Sequence, residues 1–235
     1  MKEVNEAADE DSQTLRISMD AKATVKIGPF SRRGKSRVET KAADHDFSDK
    51  NAPTVTPVGM FLPDLDELFL YGVTSKVTSD CLVDRLIQCW ETIKDRFPDV
   101  KMLVINLDNG PENHSHRTQF IKRMLDFAQE YHLHVRLAYY PPYHSKYNPI
   151  ERCWGILEEH WDGSLLDSVE AVIRYAGTML WKGSHPAVEL VTTLYQTGVK
   201  LTQKAMKALE TKVKRLPLLD KWFVDIEGLP NSEQG

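Results

Sequence analysis

The sequence predicts an α/β protein, a mixed sheet with helices packed on both faces. Three observations carry this. Strand-like patterns come first, and from about residue 80 onward helix, strand, helix and strand alternate. The run MLVINL at 102–107 is short and almost wholly apolar, as a central strand covered on both sides must be. The longer segments carry apolar residues at spacings of three and four, the mark of helices with one buried stripe.

Taken in order, residues 1–13 are acidic, polar and without a period, and so read as a flexible tail. Leu15, Ile17 and Met19 then alternate with Arg16, Ser18 and Asp20, which is a strand with Asp20 on its polar face. Residues 23–27 form a second short strand, broken by Gly28-Pro29. The polar, Pro-punctuated stretch 40–57 is expected to be a long loop. Strands follow at 58–62 and 67–74 around Pro63-Asp64. In 80–97, Leu82, Leu86, Cys89, Trp90, Ile93 and Phe97 define an amphipathic helix closed by Pro98. After the 102–107 strand come a helix at 117–131, a strand at 133–138 and the loop YYPPYHSKY. The helix at 149–161 has Asn148 as its cap and Pro149 at its first position. Helices at 167–181 and 202–215, a final strand at 222–226 and a tail at 227–235 complete the chain, and the core domain spans 14–226.

Composition narrows the class. With 41% hydrophobic and 27% charged residues, the chain has enough apolar material for one packed domain, which excludes collagen-like and disordered protein. No apolar run approaches the length of a bilayer span and the N-terminus lacks a signal-peptide core, so a cytoplasmic protein is expected, without a membrane partner. Cys81, Cys89 and Cys153 are odd in number and far apart, which favours buried reduced thiols over disulfides or zinc. The net charge of -4 hides a basic stretch, because residues 22–41 hold Lys22, Lys26, Arg32, Arg33, Lys35, Arg37 and Lys41 against Glu39 alone. Such a stretch can track a phosphate backbone or simply form a solvated face.

Three carboxylates occupy positions where chemistry gathers. Asp20 ends the first strand, Asp108 directly follows the central strand and Glu151 lies in the first turn of a helix. Ligand sites in open α/β sheets lie beyond strand ends, and oxygen-only donors suit Mg²⁺ or Mn²⁺. Each has a structural alternative. Asp108-Asn109-Gly110 is an ordinary turn sequence, Glu151 stands at capping-box distance from Asn148, and Asp20 fits a solvated strand face. The pairs His114/His116 and His132/His134 lack a third ligand and read as surface or capping residues rather than a zinc site. Trp154 and Trp161, seven apart, read as a core stripe. No glycine-rich phosphate loop is present, and Ser145 and Cys153 lack a triad context although His144 is adjacent.

The segments MLVINLDNGPENHS and YYPPYHSKYNPIERCWGILEEHW resemble the core of bacterial insertion-sequence transposases of the DDE superfamily, ISAzo type, related to the mariner-type enzymes. Upstream, RISMDAKATVKIGPF resembles that family's first strand. The resemblance covers about residues 14–226. It implies a ribonuclease-H-like domain with Asp20, Asp108 and Glu151 as catalytic, metal-binding carboxylates and two Mg²⁺ or Mn²⁺ ions as cofactors. It further implies DNA as partner, both transposon ends and target, with hydrolysis at the ends followed by strand transfer and a homo-oligomer assembled on DNA. Lys146 and Arg152 flank the third carboxylate and, with Lys22, Lys26, Arg32, Arg33 and Lys35, are candidate phosphate contacts.

Members of this family usually carry an N-terminal helix-turn-helix that reads the element's ends, and none fits before the first strand here. The chain is therefore expected to be the catalytic portion of a longer or split transposase, with an upstream domain or partner chain for end recognition. The alternative is a truncated, inactive relic acting as a DNA-binding or assembly protein. A ribonuclease or Holliday-junction nuclease of the same fold is the third reading, disfavoured by the NPIER segment.

Overall fold

The computed structural model describes residues 1–30, 52–141, 144–216 and 218–228. The core strand is β1, Thr14–Ala21, flanked on one side by the antiparallel β3, Thr54–Leu62, and on the other by the parallel β5, Met102–Leu107. Outward from β3 lie β4, Glu67–Val73, and β7, Ala187–Val191. Outward from β5 lie β6, His134–Tyr139, β9, Phe223–Glu227, and β8, Val213–Arg215. The sheet order is β7-β4-β3-β1-β5-β6-β9-β8, with the two-residue β2, Val25–Lys26, pairing β3. After β1 the chain turns to one side of the sheet and after β5 to the other. The gap between these two strands is thus a topological switch point, where open sheets leave a crevice beyond their strand ends.

The period-2 pattern of β1 sorts its side chains between two layers. Leu15, Ile17 and Met19 face the larger core, formed with Leu82, Leu86 and Ile93 of α2, Ser79–Ile93, and Phe120, Ile121 and Met124 of α3, Thr118–Tyr131. On the opposite face a second core gathers Phe61, Leu68 and Leu70 of the sheet with Ile150, Trp154 and Leu157 of α4, Ile150–Trp161, and Val172 and Ala176 of α5, Val169–Gly177. Arg16, Ser18 and Asp20 point to this same face and are buried rather than solvated, Ser18 and Asp20 against α4 and Arg16 against Asp9 and Asn106. Trp154 and Trp161 belong to that core. All three cysteines are free and buried.

Several expectations change. Residues 1–13 do not form a tail. Lys2–Glu10 is a helix, α1, whose Val4 and Ala8 cover Val104, Ala138 and Phe223 of the sheet. Arg16 holds it through a two-pronged pair with Asp9 at 2.6 Å, and Asn5 bonds both Tyr140 and Asn106. The apolar stripe of α1 is narrow because its place on the sheet is fixed largely by polar bonds. The region expected as helix at 202–215 divides into α6, Gln203–Glu210, and β8, because Val213 finds a strand partner in Ile226. Strand β7 was not expected, being a mostly exposed edge with little alternation. The expected loop at 40–57 already turns into β3 at Thr54, and residues 31–51 lie outside the described residues. Among the described residues no helix is long and apolar enough to cross a membrane.

Candidate active site at the ends of β1 and β5

The parallel register pairs Ser18 with Asn106. Two residues further along the chain stand Asp20, still in β1, and Asp108, one residue past the end of β5; continuing the strand period carries both toward the same side of the sheet. Strand spacing is about 4.8 Å, so these carboxylates are neighbours. Their charges interact accordingly. Asp20, only 8% exposed, has its pKa pushed up to about 7, first by burial and then by the charge of Asp108, with Glu151 adding to the same effect. The indole N–H of Trp154 donates to Asp20 Oδ2 at 2.7 Å and works the other way. Glu151 is also raised, by burial and by Asp108 and Glu158, against the nearby Lys22 ammonium. The three carboxylates therefore feel one another at one end of the sheet.

Helix α4 brings Glu151 to this point through two bonds to β1. Its N-cap is Pro149, with no side-chain cap, so its first free N–H would lack a partner. Ser18 Oγ supplies one, accepting from Ile150 N at 3.1 Å and donating to Asn148 Oδ1. One turn later Trp154 reaches Asp20. Four helical residues advance about 6 Å and two strand residues about 6.6 Å, so bonds at Ile150/Trp154 and Ser18/Asp20 match in spacing. Gly59, opposite Asp20 on β3, leaves room for this approach, because a Cβ there would come within 2.6 Å of Ile150 Cδ1 and 2.7 Å of the Trp154 ring. Asn148, expected as the cap of α4, is buried and turned toward Ser18, and the capping box with Glu151 does not form.

The loop that carries Asp108 is tied on several sides. Asn113 Nδ2 donates to Asp108 Oδ1 at 2.8 Å, and the buried Tyr139 hydroxyl donates to Asn113 O at 2.8 Å. Arg215 holds Ser115 O, and Ser79 holds Glu112 O. A Cβ on Gly110 would stand 2.9 Å from Asn113 Oδ1 and 3.2 Å from both Asp108 oxygens, so glycine here lets the loop close on that carboxylate without crowding it. Sequence reasoning missed Ser18, Gly59 and Asn113, and it missed the polar role of Trp154. A buried indole needs a partner for its N–H, and that requirement was the available signal.

The expected basic residues fare differently. Lys22 pairs with Glu158 beside Glu151, and Lys26 lies over the Phe30 ring. Lys146 and Arg152 are exposed on either side of Glu151 in sequence. Arg32, Arg33 and Lys35 lie outside the described residues. His132 caps the C-terminus of α3 in a left-handed conformation. Among the described residues no three His, Cys, Asp or Glu side chains form a ready-made metal cage. The cleft lined by Asp66, Trp181 and His185 belongs to the β4–β7 edge and not to the carboxylates.

A mixed sheet whose adjacent parallel strands end in aspartates, with a glutamate on the helix laid across them, is the architecture of a ribonuclease-H-like domain. Over residues 1–228 the sequence matches the family described as the Rhodopirellula transposase DDE domain, and the chain belongs to that family. Among solved structures, the Mos1 transposase paired-end complex with left transposon end is similar with a TM-score of 0.50 at 11% identity, covering 74% of this chain and 50% of that one. The Mos1 mariner paired-end complex with Mn gives 0.49 at 14% identity, covering 68% and 46%. At such identities the likeness is one of fold. The chain spans about half the length of these Mos1 chains. No curated protein matches.

Proposed function

We propose that the chain is the catalytic domain of a DNA transposase that cuts phosphodiesters at transposon ends with divalent metal ions and joins the freed 3′-hydroxyl to target DNA. Asp20, Asp108 and Glu151 are its catalytic carboxylates. The observation that carries this reading is geometric: Asp20 on β1 and Asp108 just past β5 stand at the switch point, and α4, bonded to β1 through Ile150 and Trp154, brings Glu151 to the same end of the sheet.

The donor set fits Mg²⁺ or Mn²⁺. It is all oxygen, it is crowded with like charge that a cation relieves, and Mg²⁺ needs only one or two carboxylates beside waters and substrate phosphates. When bound as a pair, the ions supply charge stabilisation to the attacking and leaving oxygens. The chain's own residues orient that site. Asn113 fixes one oxygen of Asp108 and Trp154 one oxygen of Asp20, which sets the direction of both carboxylates. Ser18 anchors the helix that carries Glu151. Lys146 and Arg152, with Lys22, Lys26, Arg32, Arg33 and Lys35, contact the DNA backbone. The chain acts as a homo-oligomer assembled on DNA. The site of action is the cytoplasm, at the nucleoid.

The test is cleavage of a duplex bearing the element's end by the purified chain in Mg²⁺, Mn²⁺ or chelator. Metal-dependent nicking that disappears in Asp108→Asn supports the proposal. DNA binding without cleavage under any metal condition would instead identify an inactive binding or assembly protein.

A further inference from the structure

Residues 200–221 carry seven basic side chains against two acidic ones, in a chain whose net charge is -4. Two of the seven are neutralised, Lys214 by Glu227 and Arg215 by Glu210. Lys200, Lys204, Lys207, Lys212 and Lys221 are exposed, and none has an acidic partner among the described residues. Elsewhere on the surface Lys2, Lys94, Lys122 and Lys182 pair with Glu6, Glu91, Asp126 and Asp66, whereas Lys76 and Lys101 have no acidic partner among the described residues; what sets this segment apart is the number of unpaired lysines gathered in it. Helix α6 turns its apolar side inward through Met206 and Leu209 and keeps Lys204 and Lys207 outward.

The segment is docked on the loop that delivers Asp108. Leu201 N donates to Thr118 Oγ1 at 3.1 Å, where that loop enters α3, and Arg215 Nη2 donates to Ser115 O at 2.9 Å. The register Arg215–Val224–Leu137–Ile105 shows that β8 ends at the same end of the sheet as β5. Three strand steps separate β8 from β5, about 14 Å laterally. That distance equals about four base-pair steps of duplex DNA.

We propose that the start of α6 and the turn from β8 to β9 form a DNA-backbone track, the unpaired Lys200, Lys204 and Lys221 neutralising phosphates of the strand that leads into the carboxylate site. The partner is duplex DNA and the contact is non-sequence-specific, since among the described residues no side chain here is positioned as a base reader. The proposal rests on the reading of the chain as a DNA-cleaving domain. It adds the path by which DNA leaves the site on the side away from α4, Lys146 and Arg152.

The experiment compares the parent chain with Lys200→Gln/Lys204→Gln/Lys221→Gln and with Lys94→Gln/Lys101→Gln/Lys212→Gln, a control of equal charge change at the other end of the sheet, where Val213 stands level with Leu103. Binding to a short mixed-sequence duplex is measured across a salt series, with metal-dependent cleavage and melting temperature recorded in parallel. The first variant should melt like the parent, bind roughly tenfold more weakly and flatten the plot of log affinity against log salt by about 2.7, at about 0.9 for each phosphate no longer neutralised. The control should bind like the parent. Acetylation footprinting of the unmutated chain should show Lys200, Lys204 and Lys221 protected by DNA. A parent that cuts DNA while the first variant binds with unchanged slope, or while both triple variants lose affinity equally, overturns this track alone. A parent that neither binds nor cuts DNA overturns the functional reading and the track with it.

Discussion

Replacing Asp20 by Asn should make the protein more stable in alkaline solution and leave it unchanged in acid. The Asp20 carboxyl ordinarily releases its proton near 3.8, but in the folded chain it does so at about 7. Between those values the native state holds a proton that the unfolded chain has lost, so unfolding becomes easier as pH rises. The sign is that of an acid with a raised pKa. No penalty exists below 3.8, and the full penalty is present once pH has passed the folded value. About three pH units at 1.36 kcal/mol each give an upper bound of about 4 kcal/mol. Asparagine keeps the shape and still offers an oxygen to the Trp154 N–H, so the variant removes the charge with little else. Urea unfolding followed by tryptophan fluorescence, from about pH 4 to about pH 8, measures the difference between the two proteins, in which titrations common to both cancel. The curves should coincide at the acid end and separate toward the alkaline end, with Asn more stable. Mg²⁺ should narrow the gap by stabilising the parent more than the variant. Parallel curves would show that burial and the neighbouring charges do not raise Asp20 as described.

The packing of α4 gives a paired test. Gly59→Ala should cost about 1–3 kcal/mol by pushing Ile150 and Trp154 away, whereas Gly155→Ala, on the open side of the same helix, should be neutral or stabilise by up to about 1 kcal/mol, both read from denaturation midpoints. Ser18→Ala strands the Ile150 N–H and Asn148 Oδ1 and should cost about 1–3 kcal/mol, while raising the Mg²⁺ concentration needed for half-maximal cleavage. Equal metal requirement in Ser18→Ala and parent would restrict Ser18 to a stabilising part. Glu151→Gln should fold within about 1 kcal/mol of the parent yet lose metal-dependent nicking almost completely, and cutting at the parental rate would remove Glu151 from the site.

Much of the sheet was legible because its strands announce themselves. The alternation of Leu15, Ile17 and Met19 gave β1, and the unbroken MLVINL gave β5 as a strand covered on both faces. Both central helices were legible from their buried stripes, and α2 runs from Ser79 to Ile93 before a short 3₁₀ turn. The failures share a cause. Helix α1, strand β7 and strand β8 have weak patterns of their own, and each is fixed by what it meets. Asp9 finds Arg16, Val191 finds Val73, and Val213 finds Ile226. The pattern within one segment holds no record of the partner outside it that fixes its place.

The candidate site divides the same way. Its carboxylates could be singled out one by one, since a strand end and a first helical turn are visible locally, but their supports could not. Asn148 stands where a cap should stand, and a capping box with Glu151 was the natural local reading. In the fold the cap comes from another element. Ser18 accepts the Ile150 N–H across the interface and holds Asn148 by its side-chain oxygen. A local cap would fix only the start of the helix. A cap donated by β1 fixes the helix start relative to the strand that carries Asp20, and the Trp154 bond to Asp20 one turn later fixes its direction. Two acids on different elements are thereby held in one geometry before any ligand arrives, as a preorganised site requires.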